Sequence, residues 1–340
     1  MGIDTKVVAA FLRYVLALVL LQFSITGHCN WGDIFSGKGV ATEVATLHED
    51  DDIWGLDFSP DGKYLAANSP NTMTVHLWDW NGSGKVVRTF EKLNGRYDLD
   101  ASESIRFSPD GKLLAGPATV WDVQSGAVVH DMKDPIGGHC VAVAFSLDSK
   151  QLFRAFDTNP ELPRDNFTAY DTTDWRPLWS LRTVPFQPEH HVALSPDGKF
   201  AALAGKNYKV HPVRSQVVVV DLDKRSAILT LDRYALRVAW SPDSRRLVLV
   251  GGEPPVVIVD ALSGSVVDTE EGQDGRALVR YTPDGKYLIE CIERTVRIWD
   301  GQHKTLYQEI KARPGSIAVS NDGRYFALGG DKKVIIWQLK

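Results

Sequence analysis

Ser59-Pro-Asp-Gly62 is the first of seven similar four-residue segments, each of which lies between two apolar stretches of the chain. The other six are Ser108-Pro-Asp-Gly111, Ser146-Leu-Asp-Ser149, Ser195-Pro-Asp-Gly198, Ser241-Pro-Asp-Ser244, Thr282-Pro-Asp-Gly285 and Ser320-Asn-Asp-Gly323. Proline fixes its φ at about −65°, Asp caps the turn through its side chain, and Gly takes the left-handed conformation. Each segment therefore predicts a tight turn between two strands, and Ser149 and Ser244 keep this turn at a modest backbone cost.

A third strand follows each turn and ends in the same way. Val75-His-Leu-Trp-Asp79 and Val296-Arg-Ile-Trp-Asp300 close on Asp, whereas the last copy, Val334-Ile-Ile-Trp-Gln338, closes on Gln. The starts of consecutive turns lie 38 to 49 residues apart. A period of about 40–45 residues made of four short strands is typical of a β-propeller blade. The sequence therefore predicts an all-β protein, a seven-bladed β-propeller of four-stranded antiparallel blades.

The ring needs one further strand to close. The seventh repeat ends at Lys340 after its third strand, and residues 39–47 resemble the fourth strands elsewhere, such as residues 84–90. We therefore expect an N-terminal strand to complete the last blade, which also removes two exposed sheet edges.

Trp-Asp pairs at residues 78–79, 121–122 and 299–300 make the chain similar to the WD40-repeat family over residues 40 to 340. The resemblance implies the propeller fold but no particular activity, because the family serves many purposes. The match is incomplete, since the family's Gly-His pair is clear only at Gly138-His139 and blades 4 and 5 carry Val-Asp. Ser-Pro-Asp-Gly turns also occur in propellers similar to the translocation protein TolB, which leaves that relationship as an alternative.

The first 29 residues differ from the rest of the chain. Lys6 and Arg13 accompany an apolar run over residues 7–23, which is typical of an export signal and is at the lower limit for a membrane anchor. We predict that residues 1–29 are an export signal or membrane anchor and that residues 30–340 form the propeller. We therefore expect the protein to be exported, that is, secreted or periplasmic, and to contact a membrane only through this segment. A buried helix of a cytosolic protein is the alternative.

Composition and motifs argue against two classes of function. The net charge of −5 disfavours a nucleic-acid partner, because phosphate binding needs a concentrated basic surface. The chain has no Gly-x-Ser-x-Gly elbow, phosphate loop, Cys-x-x-Cys pair or His-Glu-x-x-His segment. We therefore predict a protein that is not an enzyme and that has no catalytic residue and no cofactor.

Two polar clusters are candidate metal sites. Glu189-His190-His191 is the more suggestive, but neighbouring side chains of a strand point to opposite faces, so His190 and His191 do not readily bind one ion. The acidic run at residues 49–52 lacks the Gly-punctuated pattern of a calcium loop and predicts a solvated loop. No metal site is predicted.

Two long connections give the best indication of a binding face. They span residues 157–166 in blade 3 and 206–215 in blade 4, and the equivalent connections of other blades are mostly shorter. Insertions in repeat proteins often mark the binding face, and Tyr and Arg dominate interface energetics. The residues that we expect to contact a partner are Arg164, Tyr208, Lys209, His211 and Arg214.

The sequence thus predicts a monomeric, non-catalytic interaction platform that binds a protein or peptide with these two loops. The simplest alternative is that both loops are surface insertions with no role in binding. Two functional alternatives are a TolB-like accessory of cell-envelope assembly, and a propeller enzyme or small-ligand binder that uses the central channel. The channel candidates are Asp52, His139, His190, Arg237 and Arg276. They include no evident acid/base pair.

Overall fold

The computed structural model describes residues 39–69, 72, 74–91, 105–116, 118–132, 138–158, 165–183, 186–207, 214–270 and 277–340. These residues form 28 strands in seven four-stranded antiparallel sheets. No helix occurs among them, so none of the described chain is a helix long and apolar enough to cross a membrane. The predicted export signal or anchor, residues 1–29, lies outside the described residues.

The strands follow one another blade by blade. Blades 1 and 2 contain β2 (Gly55–Phe58), β3 (Leu65–Ser69), β4 (Thr74–Asp79), β5 (Lys85–Phe90), β6 (Arg106–Phe107), β7 (Leu113–Ala115), β8 (Thr119–Asp122) and β9 (Val128–Asp131). Blades 3 and 4 contain β10 (Gly138–Phe145), β11 (Gln151–Thr158), β12 (Phe167–Asp171), β13 (Pro177–Leu181), β14 (Phe186–Leu194), β15 (Phe200–Asn207), β16 (Arg214–Asp221) and β17 (Ser226–Leu231). Blades 5 and 6 contain β18 (Arg237–Trp240), β19 (Arg246–Val250), β20 (Val256–Asp260), β21 (Val266–Glu270), β22 (Ala277–Tyr281), β23 (Tyr287–Ile292), β24 (Thr295–Asp300) and β25 (Leu306–Lys311). Blade 7 contains β26 (Ser316–Val319), β27 (Tyr325–Gly330), β28 (Lys333–Leu339) and β1 (Ala41–His48).

The prediction of a seven-bladed propeller closed by an N-terminal strand is confirmed. β1 pairs antiparallel with β28, from Ala41 opposite Leu339 to His48 opposite Lys333. The strand also reaches blade 6, because the backbone N–H of Ala41 donates to Oε1 of Gln308 at 2.8 Å. β1 therefore joins the last blade to its neighbour as well as completing it.

The recurring turns share one hydrogen-bond pattern, which explains why their sequence repeats. In the first turn, the hydroxyl of Ser59 donates to Oδ1 of Asp61 at 2.5 Å and accepts the backbone N–H of Tyr64 at 2.8 Å. The N–H of Gly62 closes the turn on the carbonyl of Ser59. Gly62 has φ of 72°, and Ser149, at the matching position of blade 3, has φ of 61°. The predicted left-handed conformation is thus present even where glycine is replaced.

Among the described residues the hydrophobic core forms seven clusters, each of which lies between two adjacent blades. This follows from the strand period, since alternate side chains of one sheet point to its two faces. The tryptophans near the ends of four third strands take part in these clusters, and each packs against the cluster shared with the preceding blade: Trp78, Trp121, Trp299 and Trp337. Their burial differs, since Trp121 is fully buried whereas Trp299 and Trp337 are only partly buried.

Candidate functional site

The predicted partner-binding residues fall at the edge of what the structure describes. Arg164, Tyr208, Lys209 and His211 lie outside the described residues. Arg214 is the first residue of β16, where its backbone pairs with Asn207, but its side chain lies outside the description. Their assignment to a binding surface therefore stays a prediction.

The strands that carry these loops are longer than the corresponding strands of other blades. β10, β11, β15 and β16 have eight residues each and β14 has nine, whereas the first strands of blades 1, 2, 5, 6 and 7 have two to five. Pairing continues to the ends, with Gly138 opposite Thr158 and Asn207 opposite Arg214. Blades 3 and 4 therefore extend their strands toward the two loops. We call the ends of β10, β11, β14, β15 and β16 that lie next to the two loops, together with the loops, the raised edge.

A buried amide fixes the base of the raised edge in blade 3. Asn166 is fully buried, and its Oδ1 accepts both the backbone N–H and the hydroxyl of Thr183, at 3.0 and 2.8 Å. The N–H of Phe156 donates to the carbonyl of Asn166, and the N–H of Asn166 donates to that of Leu181. The chain is thus held immediately after the blade 3 loop and immediately before the entry into blade 4.

The opposite face of the same two blades carries a cleft. It has a volume of about 360 Å³ and is lined by the turns of both blades, including Leu147, Asp197, Leu222 and Arg225. Leu147 is 55% exposed and contributes apolar surface to the cleft. The cleft is a second surface on which a partner could be sought, and no sequence feature singled it out.

The innermost strands hold a charged group that the sequence analysis missed. Oδ2 of Asp57 on β2 accepts the backbone N–H of Phe107 on β6 at 2.7 Å. Burial raises the pKa of Asp57 to about 6, although Arg106, the Phe107 N–H and Arg280 act in the opposite direction. Asp57, Arg106 and Arg280 all stand two residues before the Ser or Thr of a turn. Comparing that position across the repeats would have found them.

The channel residues that the sequence did single out do not form a group in the described structure. Asp52 is exposed, and Arg237 is buried with its Nη1 donating to the carbonyl of Leu236 at 2.7 Å. Arg276 and the side chains of His139 and His190 lie outside the described residues. No acid/base pair is therefore assembled by the candidates that the structure describes.

The acidic run before β2 is not wholly a solvated loop, and that prediction is wrong for Glu49. Glu49 is buried, its Oε1 accepts Nε1–H of Trp78 at 2.6 Å, and its Oε2 lies 2.6 Å from Nδ1 of His76. The bond to Glu49 raises the pKa of His76. Glu49 thus links the end of β1 to blade 1.

A second buried acidic group lies between blades 5 and 6. Ligand atoms of Glu270 on β21, Glu290 on β23 and His303 in the β24–β25 turn lie within 4.8 Å of one another. Burial, together with the neighbouring Glu270, raises the pKa of Glu290 to about 8. Burial would lower the pKa of His303, but Glu270, Asp268 and Glu290 raise it to about 9. Within the described part of the chain, these three are the set whose geometry could hold a metal ion.

Comparison with known proteins shows that the repeats of this chain are similar to WD repeats. The WD domain, G-beta repeat, matches residues 41–79, which run from β1 to β4, and residues 307–338, which run from β25 to β28. A WD repeat-containing protein 26 homolog of Drosophila melanogaster is 30% identical over 242 residues, covering 66% of this chain and 37% of that protein. A WD repeat-containing protein WDS homolog of Arabidopsis thaliana is 24% identical over 332 residues, covering 92% of this chain and 51% of that protein.

A third relative, the WD repeat-containing protein VIP3 of Arabidopsis thaliana, is 26% identical over 139 residues, covering 37% of this chain and 42% of that protein. The chain therefore spans about half, or less, of the length of these relatives. The similarity concerns the repeats that build the ring.

Proposed function

We propose that this chain, which belongs to the WD40-repeat family, is a non-catalytic platform that binds a protein or peptide partner on its raised edge. Propellers built from WD repeats typically bind protein partners. The observation that carries the proposal is the length of the strands in blades 3 and 4, which extend toward two neighbouring long loops.

The extended strands would favour binding for a physical reason. Ordering a loop at an interface costs free energy, and a loop held at both ends by paired strands loses less freedom. The β15–β16 hairpin is paired up to Asn207 and Arg214, so residues 208–213 alone connect it. The aromatic and basic residues predicted there, Tyr208, Lys209 and His211, are types that suit an acidic peptide or protein loop.

We further propose that the protein is a monomer that is exported, or tethered to a membrane, through residues 1–29. The support comes from the sequence pattern of this segment. The mass and first residue of the protein isolated from its native source test this. A chain that starts close to residue 28 is expected for a cleaved signal, an intact chain in the membrane fraction for an anchor, and an intact chain in the soluble cytosolic fraction contradicts both.

The partner proposal is tested by shortening the two loops. Residues 208–213 are replaced by Asn-Gly, which suits a tight hairpin between Asn207 and Arg214, and residues 159–164 by a short Gly-Ser linker. Proteins captured from native extract by the parent chain and by the shortened chain are then compared by mass spectrometry. Partners held by the parent and lost from the shortened chain are expected.

A matched control changes the opposite face of the same blades. Leu147→Ser lies in the cleft and leaves the raised edge intact. The control should retain the partners that the shortened chain loses. Partners that persist with shortened loops but disappear with Leu147→Ser would move the binding surface to the cleft and contradict the proposal.

A further inference from the structure

Three acidic or imidazole side chains from separate segments converge between blades 5 and 6. Glu290 is completely buried, the side chain of His303 is 4% exposed, and that of Glu270 is 17% exposed. Oε2 of Glu270, Oε2 of Glu290 and Nε2 of His303 have no hydrogen-bond partner. Buried polar atoms are rarely left unsatisfied, because each such atom costs free energy. Three such atoms close to one another form a set of donors suited to a cation.

The distances between these atoms suit a metal ion better than a direct hydrogen bond. Nε2 of His303 lies 3.7 Å from Oε2 of Glu270 and 3.9 Å from Oε2 of Glu290. Hydrogen bonds between such atoms are about 2.7–3.2 Å long. Two ligands at about 2.1 Å from a tetrahedral zinc ion are separated by about 3.4 Å. The two distances to His303 exceed this separation by only a few tenths of an ångström, and all three ligand atoms lie within 4.8 Å of one another.

Each of the three side chains is also held by a second group through its other polar atom. Nδ1 of His303 lies 3.1 Å from Oδ2 of Asp268, and Nε1–H of Trp299 donates to Oε1 of Glu290 at 2.5 Å. Arg297 donates to Oε1 of Glu270. Metal-binding histidines usually donate the N–H of their second ring nitrogen to a carboxylate, a carbonyl or water. Metal-binding carboxylates are themselves hydrogen-bonded. All three unpartnered atoms are thus oriented toward the same point by their neighbours.

The charges around this point favour the binding of a cation. Four carboxylates belong to the group, and one guanidinium offsets them. These residues are Asp268, Glu270, Glu290 and Glu309, with Arg297 between Glu270 and Glu309. Metal binding requires the deprotonated forms of Glu290 and His303, and in those forms the group carries a net negative charge that a divalent ion would partly offset as it displaces the two protons.

A related group in blade 1 shows what the same arrangement looks like when it is complete. There too a tryptophan Nε1–H donates to the Oε1 of a buried glutamate, Trp78 to Glu49. The second oxygen of Glu49, however, lies 2.6 Å from Nδ1 of His76. In blade 6 the second oxygen of Glu290 instead faces a second glutamate and a histidine. The two groups therefore differ at the position where an ion would sit.

We propose that Glu270, Glu290 and His303 form a zinc site that links blade 5 to blade 6. One imidazole and two carboxylates are ligands that zinc accepts, whereas calcium and magnesium prefer oxygen alone. Water completes the coordination from the side of Glu270, the most exposed of the three. Because Glu270 belongs to blade 5 and the other two ligands to blade 6, the ion fastens two neighbouring blades together.

The test is zinc binding by the full-length protein after removal of metal with a chelator. Zinc chloride is added and bound zinc is measured after gel filtration, with the melting temperature followed in parallel. About one zinc per chain and a rise in melting temperature are expected, because an ion that binds only the folded state stabilises it. His303→Ala should weaken zinc binding at least 10–100-fold and abolish the rise.

Two control variants separate this site from adventitious binding. His48→Ala removes an exposed histidine of β1 in blade 7, and His76→Ala removes a histidine from the complete group in blade 1. Both should bind zinc as the parent does. If His303→Ala fails to fold, cobalt added to the parent supplies the test, since four- or five-coordinate cobalt absorbs visible light far more strongly than the hydrated ion. The proposal is overturned if the parent binds no zinc and gives no such spectrum, or if His303→Ala binds zinc as tightly as the parent.

Discussion

Asp57 is the clearest case of a single side chain whose environment opposes its charge. It lies on the innermost strand of blade 1, where burial raises its pKa to about 6 from an ordinary value of 3.8. Between these two pH values the folded protein binds more protons at this position than the unfolded chain does. Stability therefore falls as the pH rises through that interval.

Asp57→Asn should remove this pH-dependent penalty. We expect the variant to be more stable than the parent by about 2–3 kcal/mol at pH 7.5, and to have little or no advantage near pH 4. Urea unfolding of both proteins at the two pH values measures the difference. If the variant's gain in stability is the same at both pH values, the surroundings of Asp57 do not raise its pKa.

Asp148 provides the matched control with the opposite sign. It lies in a turn, where the hydroxyl of Ser146 and the N–H of Lys150 lower its pKa. Its contribution is present above the ordinary pKa of an aspartate and is lost as the pH falls. Asp148→Asn should therefore destabilise the protein at pH 7.5 and have a smaller effect at low pH.

At the scale of residues, the sequence predicts the environment of a side chain only when its hydrogen-bond partners lie a few positions away in the chain. The turn residues were predicted because Ser59, Asp61 and Gly62 bond to one another within a few positions. Glu290 and Asp57 were not, because their environments include residues of other blades that no local pattern connects. Glu49 was mistaken for a solvated residue for the same reason.

At the scale of elements, the third strands end in tryptophans that are equivalent in sequence but not in burial. Trp121 on β8 is fully buried, its ring centroid lies 5.7 Å from that of Phe90, and its Nε1–H donates to the carbonyl of Glu91 at 3.1 Å. Trp337 on β28 is partly buried, and its Nε1 has no hydrogen-bond partner. Both lie between blades, and because they occupy equivalent positions in their repeats, the sequence does not show which of them is the more deeply buried.

Replacement by alanine should reveal this difference. Trp121→Ala is expected to lower the free energy of unfolding by about 3–5 kcal/mol, because it removes a fully buried ring. Trp337→Ala should cost about 1–2 kcal/mol, since less of its surface leaves water on folding. Equilibrium unfolding in urea distinguishes them, and equal losses would contradict the assignment from burial.

At the scale of the whole molecule, the ring followed from the sequence because its repeats are regular. Turns at similar spacing and third strands ending in Asp or Gln indicated seven blades, and the missing outer strand indicated the closure by β1. The binding face could not be predicted in the same way, because residues 159–164 and 208–213 belong to no repeat. The group at Glu270, Glu290 and His303 requires two blades to meet and is likewise absent from any one repeat.

Removal of β1 should open the ring. A chain that begins at residue 50 leaves one edge of β28 unpaired and also loses the contacts of Ala41 with Gln308 and of Glu49 with Trp78. We expect it to lose cooperative thermal unfolding and to aggregate, since an exposed apolar strand edge pairs with other chains. A chain beginning at residue 39 is the control. If the two unfold alike, β1 is not what holds the ring closed.

The same pairing sets an order of events during synthesis. Ala41 and Leu339 are about 300 residues apart, and contacts at such separations form slowly. At about 5–20 residues per second, a ribosome completes β1 tens of seconds before it finishes β28. Until then β1 has no strand to pair with, and the nascent ring stays open. The ring can therefore close only after β28 has left the ribosome.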